Sequence, residues 1–299
     1  DGDPYFVDEN AILIAARLNS SGIQQVRGRL SARGTLIFDW KADPGATGLR
    51  RAMSGHVSQD SWQTVRQVPA LQSGDVTERP PHVVFQERNS GTSPRGHGPV
   101  EALVVHRSEP LLLIAKSLND YSNNIFNLWA ESIGGATAVE SVARNAVGAD
   151  MRSEITLGDG AGADPRNRMS PRAAVRLLRA LDEELHKTQH TLPDILPVAG
   201  IDAGTLKIRL SEPSEAGRVV GKTGTYGDYG ASALVGAIAT SDEGTVYFAI
   251  LDHGLNVPEA RARQDRFVRA LLARLNSTPW DYHADLRAEV ARVEAIARP

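Results

Sequence analysis

Gly221 to Gly230 reads GKTGTYGDYG, and its Lys222-Thr223-Gly224-Thr225 run gathers an ammonium, two hydroxyls and a residue without a side chain. Lys222 can offer positive charge to a carboxylate, Thr223 a hydroxyl donor, and Gly224 room for a second backbone to come close. A peptide laid along such a strand can pair as an added strand, with the Thr225 amide aimed at a developing oxyanion. The plainer reading is a hairpin carrying an exposed lysine. About a hundred residues earlier, Ser122-Asn123-Asn124 falls in a break between two helical patterns. Short polar side chains there either point into a cleft or cap a helix.

The elements that must position these residues follow from periodicity. SEPLLLIAKSLNDYSNNIFNLWAESIGG reads as two helices meeting near Asp120 to Asn123 and ended by Gly134-Gly135. TAVESVARNAVG continues as a helix, and SPRAAVRLLRALDEELHK starts one with Ser170 as N-cap and Pro171 in the first turn. The period then changes. RVVGKTGT, SALVGAIAT and TVYFAILDH are apolar runs separated by turn residues, which predicts an antiparallel meander with Lys222 on its first strand. PEARARQDRFVRALLARLN predicts a helix packed through Phe267, Val268, Leu271, Leu272 and Leu275, and the tail from Asp281 to Ala297 a further amphipathic helix. Towards the N-terminus, Asp8 to Ser20 reads as a helix with an Asp N-cap, and GIQQVRGRL as a strand. Residues 41–100 are rich in Gly, Pro and Ser, with brief strand-like pieces such as HVVFQE, and read as an irregular lobe.

Composition sets the outer bounds. The chain has 299 residues, of which 41% are apolar, enough for an ordinary buried core. A net charge of -3 argues against a surface built for nucleic acid or anionic lipid. The apolar neighbourhood from Val100 to Ala115 is broken by Glu101, His106, Arg107 and Glu109, so no stretch reaches the length of a transmembrane helix. The start, DGDPYF, lacks the basic and apolar regions of a signal peptide, which is expected either to have been removed or never to have been present. With no cysteine, disulfides, zinc-thiolate sites and cysteine catalysis are excluded.

Other clusters carry less. His186 and His190 share a helix face at metal-ligand spacing, but Lys187 stands where H-E-x-x-H has its acid, so neither a metal nor any other cofactor is expected. Asp159 and Asp164 in DGAGADP read as turn formers. The Gly-Lys-Thr at 221–223 has its upstream glycine at Gly217, one residue short of phosphate-loop spacing.

Taken together and in order, Ser122-Asn123-Asn124 and Lys222-Thr223-Gly224 match the second and third of the S-x-x-K, S-x-N, K-T-G motifs of penicillin-binding proteins and class A β-lactamases. Three longer strings sharpen the likeness: HRSEPLLLIAKSLNDYSNNIFNLWAESIGG, LGDGAGADPRNRMSP and LPVAGIDAGTLKIRL with GRVVGKTGT. With Gly2-Asp3-Pro4 they resemble the D-alanyl-D-alanine carboxypeptidase/endopeptidase family of class C low-molecular-mass penicillin-binding proteins, from near residue 1 to about residue 276. The region from Lys41 to about Gly98 resembles it poorly.

That resemblance implies an α/β penicillin-binding fold: helices carrying Ser122 packed on an antiparallel sheet carrying Lys222. It divides the chain into an N-terminal part with an inserted lobe (residues 1–106), a penicillin-binding-like domain (107–276) and a helical tail (277–299). It also implies roles. Ser122 with Lys222 would pass a proton to the leaving amine, Asn124 would hold the substrate amide, and Thr223 the terminal carboxylate. The Thr225 N–H, after Gly224, would be half of an oxyanion hole. The implied ligands are a peptidoglycan peptide ending in D-Ala-D-Ala and, where a nucleophile is present, β-lactams. The implied location is periplasmic or otherwise extracytoplasmic.

The departure is at the first motif. The lysines are Lys41, Lys116, Lys187, Lys207 and Lys222, and the residues three positions before them are Phe38, Leu113, Glu184, Gly204 and Val219. No Ser-x-x-Lys exists in the sequence. In the family that motif lies upstream of the Gly-Asp-Pro segment, which here is residue 2, so loss of an N-terminal portion is the expectation. The chain alone is then expected to be inactive. It reads either as part of a D,D-peptidase or as an inactive relative that binds cell-wall peptide or a protein partner.

Overall fold

A computed structural model of the chain describes residues 6–28, 30–66, 78–86, 102–121, 125–227, 230–284 and 292–295. They fall into two compact units, Asp1–Pro110 with Arg287–Pro299, and Leu111–Leu286.

In the first unit, α1 (Asp8–Ser20) forms over the span that its apolar spacing predicts. Its N-cap is Val7 rather than Asp8: the Asn10 side chain accepts from the Val7 N–H at 2.8 Å, while the Asp8 carboxylate accepts from the Ser58 N–H. Asp8 at the first helical position still lies beside the positive helix end. The expected strand over GIQQVRGRL shortens to β1 (Gln25–Arg27). Next come the small pair β2 (Ile37–Phe38) and β3 (Lys41–Ala42). The expected irregular lobe contains two helices, α2 (Thr47–Met53) and α3 (Gln59–Arg66). Each buries only two residues, Ala52 and Met53 in one and Trp62 and Val65 in the other, too few to set a period against the surrounding turn formers. The strand-like HVVFQE yields β4 (Val84–Gln86), parallel to β1, and β5 (Val104–Arg107) follows. Ala11, Ala15 and Leu18 of α1 meet Phe6, Phe38, Met53 and Val83 in one cluster, while Ile12 and Leu13 meet Trp62 and Val65 in another.

The second unit opens with α4 (Leu111–Tyr121), α5 (Ile125–Ser132) and α6 (Gly135–Val147). After the short pair β6 (Ile155–Thr156) and β7 (Arg168–Met169) comes α7 (Pro171–Lys187). Its start is the predicted one: the Ser170 hydroxyl oxygen accepts from the Ala173 N–H at 3.1 Å, and Pro171 fills a first-turn position where no donor is needed. The predicted meander forms as β8 (Val219–Tyr226), β9 (Ala231–Ala239) and β10 (Thr245–His253), antiparallel in the order β10-β9-β8. It is followed by α8 (Val257–Arg274).

Period-two alternation gives this sheet two different faces. Val219, Leu234, Ile238 and Phe248 pack against Val268 of α8. Val220 and Ala237 pack against Leu178 and Leu185 of α7, with Leu112 of α4 beside them. The sheet is thus the middle of three layers. The buried stripe of α8 is Ala260, Gln264 and Val268, with Leu271, Leu272 and Leu275 partly covered. Phe267, expected in that stripe, is half exposed, because it lies one residue and about 100° of helix rotation away from Val268.

The tail corrects the sequence reading. The described residues 292–295 form β11 (Arg292–Ala295), antiparallel to β5 in the first unit, and not the expected helix. A strand that finds an open ladder gains backbone hydrogen bonds that outweigh weak helical patterning.

Candidate functional site

The register of β8 decides which of its groups a ligand can reach. Gly221 pairs with Gly236, Lys222 with Val235, Thr223 with Leu234, Gly224 with Ala233 and Thr225 with Ser232. On the edge away from β9, the Ala199 N–H donates to the Val219 carbonyl at 2.8 Å and the Gly221 N–H to the Pro197 carbonyl at 2.9 Å. Strand residues turn N–H and C=O towards the same side, alternating along the chain. The N–H and C=O of Thr223 and Thr225 therefore point to that same outer edge. Residues 197–199 cover it only as far as Gly221, and among the described residues no strand pairs with it from Lys222 to Tyr226.

Side chains sort by face. Lys222, opposite Val235, lies on the side packed by α7 and α4, whereas Thr223 and Thr225, opposite Leu234 and Ser232, lie on the side of α8. The sheet so separates an ammonium from a pair of hydroxyls. The close backbone approach expected at Gly224 occurs instead at Gly221: a Cβ there would meet the Val235 carbonyl oxygen at 2.5 Å, while one on Gly224 would meet only the Ala233 side chain at an ordinary 3.6 Å. Gly224 leaves its face of the strand open.

Lys222 is half-buried, and its Nζ donates to the Thr223 carbonyl at 2.9 Å. Burial pushes the ammonium below its ordinary pKa, and the charge of Asp120 acts in the opposite direction. No carboxylate of the described residues lies within ion-pair distance of it. A half-buried ammonium held without an ion pair is suited to gaining and losing a proton, or to meeting an incoming carboxylate.

Asp120 belongs to the last turn of α4, and a buried polar cluster fixes that helix. Lys116, 8% exposed, donates from Nζ to the Pro193 carbonyl at 2.9 Å, the Leu196 carbonyl at 2.5 Å and Asp202 Oδ2 at 2.5 Å. Asp202 also accepts from the Val198 N–H at 2.7 Å and the Tyr282 hydroxyl at 2.7 Å, and the Tyr282 ring lies 4.6 Å from the ammonium. Asn119 adds a hydrogen bond to the Ile195 carbonyl at 2.8 Å. Since residues 197–199 are themselves bonded to β8, α4 and the strand of Lys222 share one support. Gly204, at φ +82°, abuts the end of α4 so closely that a Cβ would stand 1.9 Å from the Asp120 carbonyl oxygen.

The DGAGADP segment performs the matching task for α5. Asp159 accepts from the N–H groups of Ala161, Gly162, Ala163 and Asp164 and from Asn167, as the turn reading expects. Burial works against its charge, but these hydrogen bonds hold its pKa below the usual carboxylate range. The turn docks on α5: the Gly160 N–H donates to Asn127 Oδ1 at 2.9 Å, and a Cβ on Gly160 would collide with that of Ala130.

Ser122, Asn123 and Asn124 lie outside the described residues, as does Gly2-Asp3-Pro4. Of the site residues read from sequence, Lys222, Thr223, Gly224 and Thr225 share the uncovered end of β8. His186 and His190 are each turned to their own neighbourhood, beside Asp182 and Asp194. Sequence reasoning missed Asp120, Lys116, Asp202 and Tyr282. Only Lys116 left a trace, as a lone charge inside LLLIAKSL at helical spacing from Leu112 and Asn119.

The fold is that of penicillin-binding peptidases. The penicillin G-acylated predatory endopeptidase Bd3459 of Bdellovibrio bacteriovorus, in complex with immunity protein Bd3460, superposes with a TM-score of 0.77 at 21% identity, covering 96% of this chain and 78% of that one. Bd0816, a predatory endopeptidase of the same organism in complex with Bd3460, gives 0.72 at 22% identity over 96% and 79%. Penicillin binding protein 4 of Haemophilus influenzae, complexed with a β-lactam, gives 0.51 at 16% identity over 90% and 80%. The model of the D-Ala-D-Ala carboxypeptidase 3 (S13) family matches residues 90–274, more than half of the chain, and the chain belongs to that family. No curated protein sequence gives a significant match.

Proposed function

We propose that the open end of β8 binds the D-Ala-D-Ala terminus of a peptidoglycan stem peptide, and that this chain carries the substrate-recognition part of a serine-type D-alanyl-D-alanine carboxypeptidase or endopeptidase. The observation that carries the reading is the outward-facing backbone of Thr223 and Thr225, which no strand of the described residues pairs, beside a desolvated Lys222 whose Nζ donates to the Thr223 carbonyl. An extended peptide added there gains main-chain hydrogen bonds from the strand. The ammonium and the two threonine hydroxyls meet its carboxylate from opposite faces.

In this reading Ser122 and Lys222 relay a proton to the leaving amine, Asn124 holds the substrate amide, and the Thr225 N–H supplies one oxyanion donor. The acylating Ser and its paired Lys are not among the 299 residues. By themselves these residues bind the peptide and do not cleave it, and β-lactams are held covalently only where a Ser-x-x-Lys is supplied. A longer product carrying that motif in frame is expected to acylate with a fluorescent penicillin at that serine. Stem peptides place the work in the periplasm or another extracytoplasmic space.

Calorimetric titration with an N-acylated D-Ala-D-Ala peptide tests the proposal. Saturable 1:1 binding is expected, weakened about tenfold or more by Lys222→Ala, the weight of one hydrogen bond to a charged group. No saturation, or equal affinity in the variant, contradicts it.

A further inference from the structure

We infer that the outward face of α8, built from Arg263, Arg266, Phe267 and Arg274, docks the chain reversibly on an anionic lipid bilayer. The inference does not depend on what β8 binds.

The geometry begins with the helix period. Arg263, Phe267, Ala270 and Arg274 succeed one another at intervals of four, three and four residues, so they form one stripe along α8, with Arg266 beside it. All five are exposed. The stripe is turned away from the buried row of Ala260, Gln264 and Val268, and from the flank on which Asp265 pairs with Arg209 and Arg269 with Glu215.

An ordinary solvated helix face mixes its signs, and α7 shows the pattern: Arg179 pairs with Glu183 at 3.0 Å and Lys187 with Glu184 at 2.6 Å. The outward face of α8 does not. Both acids of that helix are engaged elsewhere, Asp265 with Arg209 and Glu259 in the first turn, where its Oε2 accepts from Asn256 at 3.3 Å. Among the described residues, Arg263, Arg266 and Arg274 have neither an ion pair nor a side-chain hydrogen bond. The net charge of -3 argues against a basic surface throughout the chain, so this patch is a local excess.

Phe267 decides the partner. It is 50% exposed, and it stands between Arg263 and Arg274 along the stripe. An aromatic ring among unpaired guanidinium groups fits a partner that is negative at its surface and apolar just beneath. An anionic bilayer has both properties: its phosphates meet the arginines, and its acyl boundary takes the ring. A second copy of the same face would set arginines against arginines, and a wholly polar polyanion would leave the ring in water. With one ring and three charges, the attachment is reversible.

The test is co-sedimentation of the full chain with vesicles of phosphatidylcholine alone and of equal parts phosphatidylcholine and phosphatidylglycerol. Binding to the mixed vesicles only is expected, falling as salt is raised. Arg263→Gln, Arg266→Gln and Arg274→Gln are each expected to weaken it about fivefold, and Phe267→Ala to weaken it at low and high salt alike. Arg176→Gln, which removes an exposed arginine of α7, is expected to leave it unchanged. An unchanged urea midpoint certifies the fold of each variant. Absence of binding to the mixed vesicles overturns the inference, as does equal binding to both kinds, or a loss in Arg176→Gln as large as in the α8 variants. Retention by soluble polyphosphate without vesicle binding also overturns it, and would give the face to a polymer instead.

Discussion

Lys222 is costly to the fold that holds it. Its pKa in the folded chain lies below the ordinary 10.5, because burial disfavours the ammonium more than the charge of Asp120 favours it. Between the folded and unfolded values the unfolded chain binds more protons, so this residue makes stability rise with pH through the window just below 10.5. Lys222→Met is therefore expected to raise the urea midpoint at neutral pH and to flatten that rise, read from denaturation curves between pH 7 and 10.5. A lowered midpoint in Lys222→Met contradicts the reading. At this scale the residue types of the candidate site could be read in advance, since Lys, Thr and Gly in that order form a short local motif. The acid that fixes Lys116 was not, because Asp202 comes from far away in sequence.

Among elements, the decisive placement is that of α4 against β8. Lys116 and Asp202 are buried together, and removing one partner leaves the other charged and uncompensated. Lys116→Met is expected to destabilise the chain by about 3–5 kcal/mol in urea unfolding. It should also weaken peptide binding, because α4 would lose its tie to the segment that carries β8. A loss near zero would show that the pair contributes nothing to the placement. The meander and the capped start of α7 could be read in advance because their signals are local: alternation within nine residues, or a Ser-Pro pair ahead of an apolar stripe. The tail could not, since β11 exists only through β5, nearly two hundred residues earlier, and its own pattern says little.

For the molecule as a whole, the family was legible from long strings that have no chemistry of their own, and the structure supplies their reason. DGAGADP is a turn clamped on α5, and IDAGTL supplies both the carboxylate that holds Lys116 and the glycine against which α4 ends. Such strings mark the supports of α4 and α5. The central claim concerns which amides face the ligand, and amide NMR spectra of the chain with and without an N-acylated D-Ala-D-Ala peptide read this directly. On binding, the N–H groups of Thr223 and Thr225 are expected to shift and gain protection from exchange, while those of Lys222 and Gly224, already directed at β9, keep theirs. A bound peptide that leaves Thr223 and Thr225 unchanged while altering amides elsewhere would contradict the account.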